Sequence, residues 1–129
     1  MTFSYFNYEQ DTMLACPCCR VRGMDPLFMQ ELDALRGHVG FPLRVNSGYR
    51  CAKRNAEVSS TGTSGPHTTG MAIDLGVSGR EAHALVAAAI ERGFTGVGLQ
   101  QKGPHAGRYV HLDRLLNQPG QPRPWIWTY

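Results

Sequence analysis

The sequence predicts a single, loop-rich α+β domain, and three observations carry that expectation. Its 129 residues suffice for one core of ordinary size without staples. Two segments repeat their apolar residues at helical spacing, while shorter ones alternate apolar and polar residues as strands do. Fifteen glycines and eight prolines punctuate the chain between these segments, and there is neither an internal repeat nor a linker.

Residues 1–23, aromatic and then rich in cysteine and glycine, are expected to form an irregular cap. A helix follows. Asp25 is a good N-cap and Pro26 a good first helical residue. Leu27, Phe28, Leu32, Leu35 and Val39 recur at helical spacing, and Gly37 and Gly40 end the run. Residues 41–45 read as a short strand leading into Asn46-Ser-Gly-Tyr-Arg50, residues 51–57 as a short helix, and 58–66 as a loop of Ser, Thr and Gly.

Residues 71–75 read as a strand with Met71, Ile73 and Leu75 on one face and Ala72 and Asp74 on the other. Ser78-Gly-Arg-Glu81 has the pattern of a capping box. The helix it opens carries the stripe Ala82, Leu85, Val86, Ala89 and Ile90 and stops at Gly93. Residues 94–99 form a glycine-interrupted strand, and a polar loop over 100–107 returns the chain as a hairpin strand over 108–113. The segment 114–129, ending Pro124-Trp-Ile-Trp127-Thr-Tyr129, holds too many aromatics for a free tail and is expected to pack on the domain.

Bulk properties narrow the partners. No basic run with interleaved aromatics appears, which argues against nucleic acid. No apolar stretch reaches ~18 residues, so no membrane insertion is expected. The net charge of +3 would suit a polyanionic cell wall but is too mild to identify one. The N-terminus lacks a basic region followed by an apolar core, so the chain is expected to start in a cytoplasm without a secretory signal. Cys18 and Cys19, being adjacent, can hardly bond each other. Among Cys16, Cys18, Cys19 and Cys51 a long-range disulfide, a small structural metal site and reduced, partly buried thiols all stay open.

The chemistry concentrates in Ser64-Gly-Pro-His67-Thr-Thr-Gly70-Met-Ala72-Ile-Asp74 and Tyr109-Val-His111-Leu-Asp113. Two imidazoles and a carboxylate suit a divalent ion of borderline softness, zinc above all. Three protein ligands leave one position open, which marks a catalytic site and points to hydrolysis. A fully extended chain from His67 to Asp74 would span roughly 23 Å, whereas ligands of one zinc lie only ~4 Å apart. The chain must bend between them, and Gly70 supplies the residue for that bend. On the last strand Tyr109, His111 and Asp113 share a face while Val110 and Leu112 point to the core. If the two strands are neighbours, Asp74 and His111 meet on one polar face.

These residues, together with Ser-Gly-Tyr-Arg50, resemble the zinc D-alanyl-D-alanine carboxypeptidase and murein endopeptidase family, whose fold is shared with lysostaphin-type endopeptidases and the hedgehog signalling domain. The resemblance runs from about Met24 as far as Asp113, and the whole chain looks like the small stand-alone versions of phage and prophage genomes. It implies an α+β domain with a mainly antiparallel sheet flanked by helices. It implies a Zn2+ cofactor held by His67, Asp74 and His111, with Arg50 binding a substrate carboxylate or polarising the scissile carbonyl. The implied substrate is an amide bond in the stem peptides or cross-bridges of peptidoglycan, cut by a monomer.

The chain departs from the family pattern at three places. Ser64 sits three residues before the first ligand rather than two. Relatives place an acidic residue three positions before the last ligand or a histidine two before it, where this chain has Arg108 and Tyr109. Asp113, roughly 7 Å along the strand from His111, is the nearest candidate, either as general base or as a residue that orients an imidazole. His105 in the loop ranks below it, Tyr109 can donate to an oxyanion, and His38 and His83 read as structural or surface residues. The departure motivates an alternative, a zinc-stabilised wall-binding or virion module without catalysis. The enzyme reading implies lysis or wall opening, with delivery through a holin or on a virion.

Overall fold

A computed structural model describes residues 2–129, and among them three α-helices and five strands follow one another in the order the pattern predicts, up to one added strand. Residues 2–25 are loops and turns around a 3-10 turn at Thr12–Leu14. Helix α1, Pro26–Val39, starts where Asp25 accepts from the Phe28 N–H and ends at Gly40 in the left-handed conformation. Gly37 lies inside this helix rather than ending it, and the ring of Tyr5 covers it. Leu27 points to solvent and Met29 takes the core position.

Strand β1, Val45–Ser47, is shorter than residues 41–45 suggest and is shifted toward the C-terminus. Pro42 carries no backbone donor, and the first link to the next strand comes only at Arg44, whose carbonyl accepts from the Gly76 N–H. Helix α2, Ala52–Val58, is capped by Cys51. Two 3-10 turns, Gly62–Ser64 and Pro66–Thr69, lead into strand β2, Ala72–Leu75. Gly70 between them has φ +76°, and its Cα lies so close to the Gly23 carbonyl that any side chain would collide with it.

Helix α3, Gly79–Glu91, forms without the capping box: Ser78 makes no side-chain cap. Its hydroxyl instead meets His105 Nδ1 at 3.0 Å. The helix buries Ala82, Leu85, Ala88 and Ala89, while Ile90 is exposed. Strands β3, Gly96–Gln100, and β4, Tyr109–Asp113, form the expected hairpin. The tail adds strand β5, Trp125–Thr128, which pairs in parallel with β3.

The sheet order is β1-β2-β4-β3-β5, antiparallel except for that last pair. Alternation sorts its faces. Ile73, Leu75, Val97, Val110 and Leu112 join Phe28, Leu32, Leu35 and Leu85 of the helices in one core. Asp74, His111 and Asp113 point the other way and are nevertheless buried. No helix among the described residues is long and apolar enough to cross a membrane.

Candidate metal centre and its supports

Register places the two halves of the site. β2 and β4 are hydrogen-bonded neighbours in which Asp74 stands opposite His111, so both side chains emerge on the polar face a few ångströms apart. The 3-10 turn at Pro66–Thr69 and the left-handed Gly70 reverse the chain and carry His67 back over Asp74. His67 Nε2 lies 3.3 Å and His111 Nδ1 3.1 Å from the same oxygen, Asp74 Oδ1. One ligand atom from each of the three lies within 4.8 Å of the others. Donors bound to one tetrahedral zinc at about 2.0–2.1 Å would sit about 3.3 Å apart.

The opposite ring nitrogens decide the protonation. His67 Nδ1 is 2.7 Å from the Gly48 carbonyl, which can only accept, so Nδ1 carries the proton. His111 Nε2 is 2.8 Å from Asp113 Oδ2, and that carboxylate likewise accepts. In the neutral tautomers both inward nitrogens then present lone pairs to a carboxylate oxygen. Such a cluster repels itself unless a cation sits at its centre, and it is the arrangement that outer hydrogen bonds impose on metal-binding histidines. The residues present therefore fit a zinc ion. Without metal a proton serves instead. Burial would lower the His111 pKa, but its bonds to Asp113 and Asp74 outweigh that and raise it above the ordinary value. Burial likewise opposes ionisation of Asp74, yet the hydrogen bonds from His111 and His67 and their charge hold it well below the usual carboxylate range.

Asp113 is fully buried and its two oxygens are committed. Besides His111 it receives Arg123 in a fork, Nε to Oδ1 at 2.9 Å and Nη2 to Oδ2 at 2.8 Å. Burial opposes its charge, but these partners bring its pKa down to about 2. The carboxylate lies over Gly96 of β3, where any side chain would collide with it. Two residue pairs along, the indole of Trp127 covers Gly98 and packs on His111 with ring centroids 4.9 Å apart.

Arg50 closes the opposite side. Its Nε donates to Ser47 Oγ at 3.1 Å, Nη1 to Asn55 Oδ1 at 3.2 Å, and Nη2 to Asp74 Oδ2 at 3.4 Å. Asn55 is itself buried and tied to Thr61 and Gly62. The Tyr109 ring packs against that of Tyr129 with centroids 5.2 Å apart, and burial and the charge of Asp74 raise the Tyr109 pKa, so this face of the site carries a protonated phenol. Ser64 lines a separate groove of about 350 Å³ with Pro66, Arg123 and Trp127. His105 is engaged with Ser78 at the start of α3.

The structure thus brings His67, Asp74, His111 and Arg50 together and sets Asp113 behind His111. Sequence reasoning missed the Gly48 carbonyl, Asn55, Arg123 and Trp127. The alternation Trp125, Trp127 in the tail could have indicated a strand; nothing local marks Arg123 as a partner of Asp113.

A family model described as Peptidase M15 matches residues 5–113. No curated protein and no solved structure matches.

Proposed function

Because the chain belongs to the peptidase M15 family and is thereby a metallopeptidase, we propose that it is a zinc-dependent peptidoglycan peptidase that hydrolyses an amide bond in stem peptides or cross-bridges. One observation carries the reading: three donor atoms converge with their lone pairs inward, each imidazole fixed from behind by a protein acceptor. His67, Asp74 and His111 would hold the zinc, which supplies Lewis acidity to the scissile carbonyl and to a water at neutral pH.

The chain's own groups do the rest. Arg50 commits three of its N–H donors to Ser47, Asn55 and Asp74, which fixes the guanidinium plane and leaves two donors for a substrate carboxylate or a developing oxyanion. The Tyr109 hydroxyl, kept protonated by burial and by the charge of Asp74, donates a hydrogen bond to the developing oxyanion. Asp113 acts through His111: it holds the ring in one tautomer and raises its donor strength, with Arg123 keeping the carboxylate ionised. The groove between Ser64 and Arg123, floored by Trp127, receives the peptide on the side of His67.

The enzyme acts as a monomer on the wall, delivered through a holin or carried on a phage particle. Zymography on purified peptidoglycan tests the function. Clearing that requires zinc and disappears in His67→Ala supports it. A second reading, a wall-binding or virion module without catalysis, draws on the commitment of Asp113 to Arg123, which leaves it unavailable as a base. A protein that binds zinc and wall yet releases no new amino groups would favour that reading.

A further inference from the structure

Cys16, Cys18, Cys19 and Cys51 take no part in the chemistry above, yet they come together from two distant parts of the chain. Three belong to one tight turn, closed by the Cys16 N–H to the Val21 carbonyl at 2.9 Å and the Arg20 N–H to the Cys16 carbonyl at 2.8 Å. Arg20 adopts φ +61° to make that turn. The fourth caps α2. All four sulfurs lie within 4.8 Å of one another. Cys18 Sγ is 3.2 Å from Cys51 Sγ and 3.7 Å from Cys16 Sγ. Four thiolates around one zinc at about 2.3 Å would be about 3.8 Å apart, so the cluster needs only small adjustments to close on an ion.

The surroundings treat these sulfurs as acceptors. Cys16 Sγ receives the Cys51 N–H at 3.3 Å. Cys51 Sγ receives the Arg54 N–H at 3.4 Å. Backbone amides aimed at sulfur are what a metal-bound thiolate takes from its outer shell. A disulfide would use two of the four and leave the other two packed against it without a role.

We propose that Cys16, Cys18, Cys19 and Cys51 bind a second zinc ion in a closed, four-thiolate structural site. Binding exchanges the four thiol protons for the metal and releases them to solvent, with no change of oxidation state. With four protein ligands no coordination position is open, so the site holds structure rather than chemistry. What it holds is the catalytic segment. Cys51 follows Arg50 directly, and the Gly48 N–H bonds the Met13 carbonyl of the same cap. The site therefore staples residues 12–22 to the strand end that supplies both the Gly48 carbonyl behind His67 and the Arg50 guanidinium.

The proposal stands apart from the peptidase reading, and metal analysis tests it without an activity assay. Protein purified reduced and zinc-replete is expected to hold two zinc ions per chain, falling to one in His67→Ala and to one in Cys51→Ser. Replacing zinc with Co2+ is expected to give intense sulfur-to-metal charge-transfer absorption in the unmodified chain and in His67→Ala, lost in Cys51→Ser. Should Cys51→Ser fail to fold, thiol titration of the unmodified chain decides: all four thiols blocked until a chelator strips the metal supports the site. One zinc per chain with no charge-transfer band would overturn it. So would an intact mass lighter by two hydrogens, the mark of a disulfide.

Discussion

Replacing Asp113 by asparagine separates a positioning carboxylate from a general base. In Asp113→Asn the amide would keep the size of the side chain and one acceptor for the His111 Nε2–H, but the bond would no longer be charge-assisted and would lose about half its strength. Loss of such an outer partner lowers metal affinity by about 10–100-fold, equivalent to about 1.4–2.7 kcal/mol. A second cost falls on stability. Arg123, whose side chain is only 6% exposed, loses the charge it pairs with, and breaking a buried pair from one side costs about 3 kcal/mol at the low end. For a chain of this size that is a fall in Tm of about 10 °C. Competition with a chromophoric chelator measures the zinc affinity, and hydrolysis at saturating zinc measures the rest. The expected result is weaker zinc binding with most of the activity recovered once zinc saturates the site. Unchanged zinc affinity together with a turnover reduced by about 10²–10⁴, the usual loss for a general base, would refute the positioning role.

Arg50→Lys keeps the charge but not the fork, and is expected to lower kcat/KM by about 10²-fold while zinc stoichiometry stays unchanged; atomic absorption and muropeptide kinetics check both. Gly70→Ala forces a side chain into a left-handed turn against the Gly23 carbonyl, and is expected to destabilise the fold by more than about 1 kcal/mol, read by urea denaturation. The metal-free chain is expected to show opposing pH effects. Asp113 titrates at about 2 in the folded chain against about 3.9 unfolded, so its contribution is full above about pH 4 and is lost as pH falls toward 2. His111 has a raised pKa, so its contribution is full below its unfolded value of about 6.5 and is lost as pH rises through the folded value. Zinc competes for the neutral imidazoles. Thermal melts with and without zinc should therefore diverge as pH rises from about 5 to 8, and a zinc-induced shift that grows toward acid pH would contradict this.

The site's first layer was legible because it is written in short-range pattern. The alternation in residues 71–75 and in Tyr109–Asp113 fixes which side chains share a face, and Gly70 marks the bend that brings His67 back. Asp25, Pro26 and Gly40 bound α1 for equally local reasons. What escaped depends on tertiary partners. Ser78 has the spacing of a capping residue, but its hydroxyl is taken by His105, and no i to i+3 pattern encodes that competition. Leu27 and Ile90 fit their helical stripes by type yet are exposed, and Ile90 lines an open groove with Val97, Trp125 and Ile126 instead of entering the core. Asp113 reads from sequence as a carboxylate facing the site. Only the return of the tail along β3 shows that Arg123 claims it and that Trp127 covers His111.

As proposed above, His67, Asp74 and His111 form the hydrolytic centre of a peptidoglycan peptidase. Mass spectrometry of muropeptides after incubation with the zinc-loaded chain tests it most directly. Fragments are expected that differ from their parents by one added water at a single class of amide bond, absent without zinc and absent with His67→Ala. Muropeptides left unchanged by a folded chain with zinc bound at this centre would contradict it.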